Sequence, residues 1–222
     1  MIVALRSLFK YLSTYGLLVD KAGRPVLNPT LVLEVPDIAQ KTNDWLREAE
    51  WEALRQTPMS GDEKFLVALL GYTGLRIGEA RSLRVCDIDF AEGWVHVRVS
   101  KTARGIRSIP IPAELRPRLN EWLRVLEKRG VYSETGPLLS TRNRNQYAEK
   151  ILRRVGDAAG IAGRLTPHRL RRTYGSRLLN GGARLEVVSS LLGHSSTQIT
   201  EKAYAELSQQ TIRREALAAL GG

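Results

Sequence analysis

The stretch Val85-Cys86-Asp87-Ile88-Asp89-Phe90-Ala91-Glu92-Gly93-Trp94-Val95-His96-Val97-Arg98-Val99-Ser100 is where the apolar pattern of the chain changes period. Before it, apolar residues recur every three to four positions; here they alternate, which suits a half-buried strand. Val85–Phe90 reads as a strand and Ala91-Glu92-Gly93 as a turn. Trp94–Ser100 reads as a second strand, with Val95, Val97 and Val99 on one face and Trp94, His96 and Arg98 on the other. Lys101–Gly105 is a second turn and Ile106–Ile111 a third strand. Consecutive strands joined by short turns pair antiparallel, so one small three-stranded antiparallel sheet is expected.

Outward of the three strands, the apolar segments have helical spacing. Upstream, Ile2, Leu5, Leu8, Phe9 and Leu12 mark a helix that Gly16 can cap, and Asp20–Pro36 is a connector holding Gly23, Pro25, Asn28-Pro29 and Pro36. Trp45–Gln56 is a helix with Leu46, Ala49, Ala53 and Leu54 inward; Asp62 can cap the next, Glu63–Tyr72; another runs from near Arg76 to Leu83. Downstream, Pro112 and Ala113 open a helix reaching Arg129. Others are expected at Arg144–Ala159, Pro167–Leu179, Leu185–Leu192, Thr197–Glu206 and Gln209–Leu220. The class is α+β, mostly helical with one small sheet.

Composition narrows the function. The chain has 222 residues, 43% of them hydrophobic, which is enough for a real core. One cysteine, Cys86, excludes an internal disulfide framework and a Cys-based zinc cluster, and three histidines leave little for a His-rich metal site, so no metal is expected. No apolar run reaches membrane-spanning length, and Arg6 interrupts the apolar start, so a soluble cytosolic protein is expected. The net charge is +11, unevenly distributed: Glu34–Glu63 holds eight acidic and three basic residues, and Thr141–Arg177 ten basic and two acidic. A basic run serves either as a solvated helix face or as a phosphate contact; this imbalance makes a polyanion the leading partner.

Four clusters carry candidate chemistry. In Thr73-Gly74-Leu75-Arg76-Ile77-Gly78-Glu79-Ala80, Arg76 opens a helix and Glu79 lies one turn on, which also describes an ordinary surface ion pair. Lys101 sits in a hairpin turn, followed by Arg104 and Arg107; such a tip can reach into a groove or merely protect a sheet edge. In Thr166-Pro167-His168-Arg169-Leu170-Arg171-Arg172-Thr173, Thr166 caps a helix, His168 and Arg171 share one face, and Arg169 and Arg172 share the neighbouring one. A helix start with a proton shuttle beside a guanidinium suits phosphate, either bound or transformed. Last, Leu191-Leu192-Gly193-His194-Ser195-Ser196 ends a helix at His194, and Tyr204 follows among polar neighbours.

Together and in this order the clusters resemble the tyrosine recombinase (phage integrase) family. Its motif T-G-L-R-x-x-E is matched at Thr73–Glu79, its hairpin lysine by Lys101, its H-x-L-R by His168, Leu170 and Arg171, its L-G-H at Leu192–His194, and its nucleophile by Tyr204. The resemblance implies attack by the Tyr204 hydroxyl on a DNA phosphodiester, giving a 3′-phosphotyrosine and a free 5′-hydroxyl, without cofactor. Arg76, Arg171 and His194 would donate to nonbridging oxygens, Lys101 would protonate the leaving oxygen, His168 would serve as base, and Glu79 would orient its neighbours. Arg104, Arg107, Arg169 and Arg172 are expected to contact DNA. The resemblance also implies a homotetramer on double-stranded DNA, in the cytoplasm at the nucleoid of a prokaryotic, archaeal or phage-bearing host, with DNA-bending accessory proteins an open requirement and no membrane role. It divides the chain into residues 1–37, the last helix and exit of a DNA-binding domain; 38–208, the catalytic domain; and 209–222, a helical tail that docks on its own domain or on a neighbouring protomer. Two alternatives share the residues: cleavage and religation of the type IB topoisomerase kind, and a truncated DNA-binding regulator.

Overall fold

The computed structural model describes residues 2–32, 44–99, 105–139 and 145–194. The chain divides into two compact units, Met1–Thr42 and Asn43–Gly222. In the first, helix α1 spans Ile2–Thr14, Val19 bridges Pro25, and a 3-10 turn occupies Pro29–Val32. The connector therefore carries local structure: Asp20 Oδ1 accepts from the Ala22 and Arg24 amides, and Asn28 Oδ1 from that of Thr30.

The second unit is built around α3 (Gly61–Thr73), buried continuously from Phe65 to Thr73. A helix apolar on all sides sits inside a protein, and α3 packs against α5 (Arg116–Lys128), α6 (Asn145–Ala158) and α7 (Pro167–Asn180). Phe65 stacks on Trp122 at 4.6 Å between ring centroids. Helix α2 (Glu48–Gln56) starts three residues later than its apolar spacing predicts, because the Arg47 amide donates to Glu50 Oε2 (2.8 Å) and the Glu50 carboxylate caps the helix start there. That register buries Trp51 and leaves Ala49, expected inward, exposed. The cap of α3 is Ser60 rather than Asp62: Ser60 and Glu63 bond reciprocally, while Asp62 pairs with Arg129 at 2.6 Å.

The sheet has the expected order and antiparallel sense, β1 (Ile88–Asp89), β2 (Trp94–Val97) and β3 (Arg107–Pro110), with Ile88 opposite Val95 and Val95 opposite Ile109. Its strands are shorter than the alternation suggests. Val85–Asp87 is a 3-10 turn, because Asp87 accepts from the Arg84 amide (2.9 Å) and the Val85 and Cys86 amides donate to Gly136 and Glu134. Val95 and Val97 are buried, but Val99 lies past the end of β2 and is 64% exposed. The helix after Pro112 begins only at Arg116. Helix α4 spans Ile77–Ser82 and α8 Leu185–Leu192, the latter with its expected bounds. The expected helices Thr197–Glu206 and Gln209–Leu220 lie outside the described residues. Among the described residues no helix is long and apolar enough to cross a membrane.

Candidate active site

Four chain segments converge where α3 ends. Gly74 caps α3 in the left-handed region (φ 61°), and a Cβ there would lie 2.4 Å from Cδ1 of Tyr174 on α7. Only glycine meets both demands. The turn presents Arg76 as the N-cap of α4, its amide donating to Glu79 Oε2 and its Nη1 to Glu79 Oε1, at 2.9 and 2.8 Å. This is no surface pair. The Glu79 side chain is 6% exposed and that of Arg76 46%, so the carboxylate lies inside and the guanidinium reaches outward.

Arg107 enters from the sheet. At the start of β3 it has the same parity as Ile109, which is fully buried, so alternation turns both inward. Its Nη2 donates to Glu79 Oε2 (2.9 Å), its Nη1 to Glu79 Oε1 (3.2 Å) and Gly105 O (2.8 Å), and its Nε to Leu191 O (2.6 Å). Arg171, 4% exposed on α7, donates through Nη1 to Gly74 O (2.7 Å) and through Nη2 to Leu192 O, and lies 3.9 Å from Glu79. Arg76 Nη2 reaches Gly193 O at 3.4 Å. Three successive carbonyls at the end of α8, Leu191, Leu192 and Gly193, thus accept from three arginines. A helix C-terminus offers unsatisfied carbonyls and partial negative charge, and guanidiniums suit it.

Three guanidiniums around one carboxylate leave an excess of positive charge, and its effect is visible in the ionisable neighbours. Burial would raise the Glu79 carboxyl, but the hydrogen bonds from Arg107 and Arg76 and the Arg107 charge outweigh it and hold the group below its ordinary pKa. Burial, then the charges of Arg171, Arg76 and Arg107, push His194 down to about 4. His168 is exposed, yet partial shelter of its ring and the Arg172 and Arg171 charges lower it too. Both imidazoles are therefore neutral at pH 7, and the cluster carries a net charge near that needed to balance a bound dianion.

The remaining expected residues separate into three groups. Lys101, Arg104 and Tyr204 lie outside the described residues. Arg107 and Arg169, expected on DNA, are turned into the protein. Arg169 is 7% exposed and donates to Ala162 O (2.6 Å) and Glu50 (3.3 Å). Arg172 is half-buried beside Asp44 at 3.5 Å. The sequence reading missed the main-chain acceptors Gly74, Leu191, Leu192 and Gly193. Two glycines flanking helix ends were the only signal for them.

A profile of the family described as phage integrase matches residues 44–211. The chain belongs to the phage integrase family. Among its relatives, tyrosine recombinase XerC of Oceanobacillus iheyensis is 30% identical over 212 residues, covering 90% of this chain and 67% of that protein. Tyrosine recombinase XerA of Pyrococcus furiosus is 33% identical over 163 residues, 68% of this chain and 54% of the relative. The chain thus spans about two thirds or less of these relatives' length. The fold agrees: a crystal structure of the XerH site-specific recombinase bound to a palindromic difH substrate, a post-cleavage complex, superposes with a TM-score of 0.74 at 20% identity, over 97% of this chain and 65% of that one. A crystal structure of the XerA recombinase gives 0.65 at 23%, over 95% and 74%. This integrase-family chain therefore has the mostly helical recombinase fold with its small antiparallel sheet.

Proposed function

We propose that this chain cleaves and rejoins DNA as a site-specific recombinase, through a 3′-phosphotyrosine formed on Tyr204. The observation that carries the reading is the pair of guanidiniums, Arg76 and Arg171, fixed around buried Glu79 next to a neutral His194. A pentavalent phosphorane gathers charge on its nonbridging oxygens. Two planar forks and an imidazole N–H are suited donors, and losing one such donor raises a barrier by about 3–4 kcal/mol. His168, neutral at pH 7, would take the tyrosine proton, and Lys101 would return one to the leaving 5′-oxygen. The covalent link conserves the bond energy, so rejoining needs no external energy source.

Division at residues 37 and 208 into an exit segment, a catalytic domain and a tail is part of this proposal; the compact unit beginning at Asn43 and the family match from residue 44 support its first boundary. So are the substrate, double-stranded DNA, assembly as a homotetramer on it, and a place at the nucleoid of a bacterial or archaeal cell. Bacterial and archaeal relatives support the last.

The test is a covalent trap. The protein and Tyr204→Phe are mixed with nicked suicide duplexes carrying randomised flanks, and SDS-resistant DNA is sequenced. A Tyr204-dependent adduct with enriched flanks is expected. Relaxation of supercoiled plasmid without strand exchange would favour the topoisomerase alternative, and binding without an adduct the regulator.

A further inference from the structure

Arg107 has the sequence position of a DNA contact and the surroundings of something else. Its side chain is 6% exposed. Four hydrogen bonds engage its three nitrogens, all directed to Glu79, Gly105 and Leu191. A guanidinium has five donors in one plane, so little of the fork remains for a phosphate.

Its partners are the groups that hold the candidate catalytic residues. Glu79 Oε1 accepts from both Arg107 and Arg76, and Oε2 accepts from Arg107 and the Arg76 amide and lies nearest Arg171. The Leu191 carbonyl that Arg107 holds precedes the carbonyls taken by Arg171 and Arg76, and His194 follows directly. Arg107 also opens β3, the strand entered from the segment carrying Lys101.

We propose that Arg107 is a positioning residue: it fixes the Glu79 carboxylate and the end of α8 so that Arg76, Arg171 and His194 face one point, and it does not bind DNA. The chemistry demands arginine. One planar fork spans two carboxylate oxygens while its Nε reaches a carbonyl; an ammonium is a single point of charge and does not span them. The inference rests on the cleavage reading above for its kinetic test, and has a second test that does not.

Two variants are used, because a buried carboxylate stripped of its partner can unfold a protein. Arg107→Lys keeps the charge; the pair Arg107→Met with Glu79→Gln removes both charges together. Each is compared with the parent chain for thermal unfolding, duplex affinity as a function of salt, and adduct formation at saturating suicide duplex. Expected are folded variants, affinity within about twofold, an unchanged salt slope, and adduct formation slowed by about 10- to 100-fold. Loss of affinity with an unchanged rate at saturation, accompanied in the double variant by a salt slope smaller by about one, would make Arg107 a phosphate contact and overturn the proposal. An unchanged rate with unchanged affinity would overturn it equally. Should the parent chain form no adduct, the cleavage reading fails, and the side-chain Nε–H resonances of Arg76 and Arg171 in the free protein decide. Positioning requires them to shift or broaden in Arg107→Lys; resonances identical to the parent's would sink it.

Discussion

Glu79 stays ionised inside the protein because guanidiniums surround it, and the dependence is mutual. Replacing it by alanine would leave Arg107 buried without a counter-charge. Glu79→Ala is expected to destabilise the protein by about 3–5 kcal/mol, read by urea unfolding, whereas breaking an exposed pair such as Arg55–Glu52 costs under about 1 kcal/mol. His194 titrates with a definite sign. Its folded pKa of about 4 lies below the ordinary 6.5, so between those values the unfolded chain binds the proton and the folded chain does not. Stability is therefore greatest above pH 6.5 and falls as the pH drops toward 4. Between pH 7.5 and 5, the melting temperature of the parent should fall by about 2–6 °C more than that of His194→Gln. His168, held below 6.5 by partial burial and by Arg172, places the acid limb of adduct formation below pH 6.5 as well; a limb at or above it would contradict His168 as base.

The junctions between elements do most to place the site. Gly74→Ala combines a left-handed backbone with a Cβ 2.4 Å from the Tyr174 ring, and should cost about 2–5 kcal/mol by urea unfolding. Ser60→Ala, which removes a cap far from the site, should cost about 0.5–2 kcal/mol and leave adduct formation unchanged. These elements also show what the sequence could reveal. Helix α8 was legible to the residue, since its apolar spacing ends at a glycine, and the sheet was legible in order and sense. Strand length was not: the Asp87–Arg84 bond and the pairing with Gly136 turn an alternating stretch into a 3-10 turn, and alternation cannot report a partner fifty residues away. Local spacing put Arg76 and Glu79 one turn apart, Arg171 on α7 and His194 at the exit of α8, but it did not show that their side chains gather around one buried carboxylate. Nor did it show the inward turn of Arg107 and Arg169, because charge alone carries no burial.

At the scale of the molecule, among the described residues, part of the run of arginines is engaged with carboxylates of the same chain. Arg154 pairs with Glu63, Arg169 with Glu50, Arg172 with Asp44 and Arg177 with Glu48, so the acidic stretch and the basic one neutralise each other in part. Duplex binding should still weaken at least tenfold, and by less than about 10³-fold, between 50 and 200 mM salt, because fewer arginines remain for phosphate than the sequence offers. A salt-independent affinity by fluorescence anisotropy would contradict a polyanion partner. The three carbonyls at the end of α8 have a different kind of consequence. A main-chain oxygen belongs to no particular amino acid. Leu191 and Leu192 can be exchanged for other helix-compatible apolar residues while their oxygens go on receiving the same arginines. In a saturation library these positions should accept other apolar residues of similar size, while Gly193, with φ 61°, accepts almost none. Part of the apparatus that aims the arginines is thus written in backbone shape, and the chain is free to drift in spelling around it.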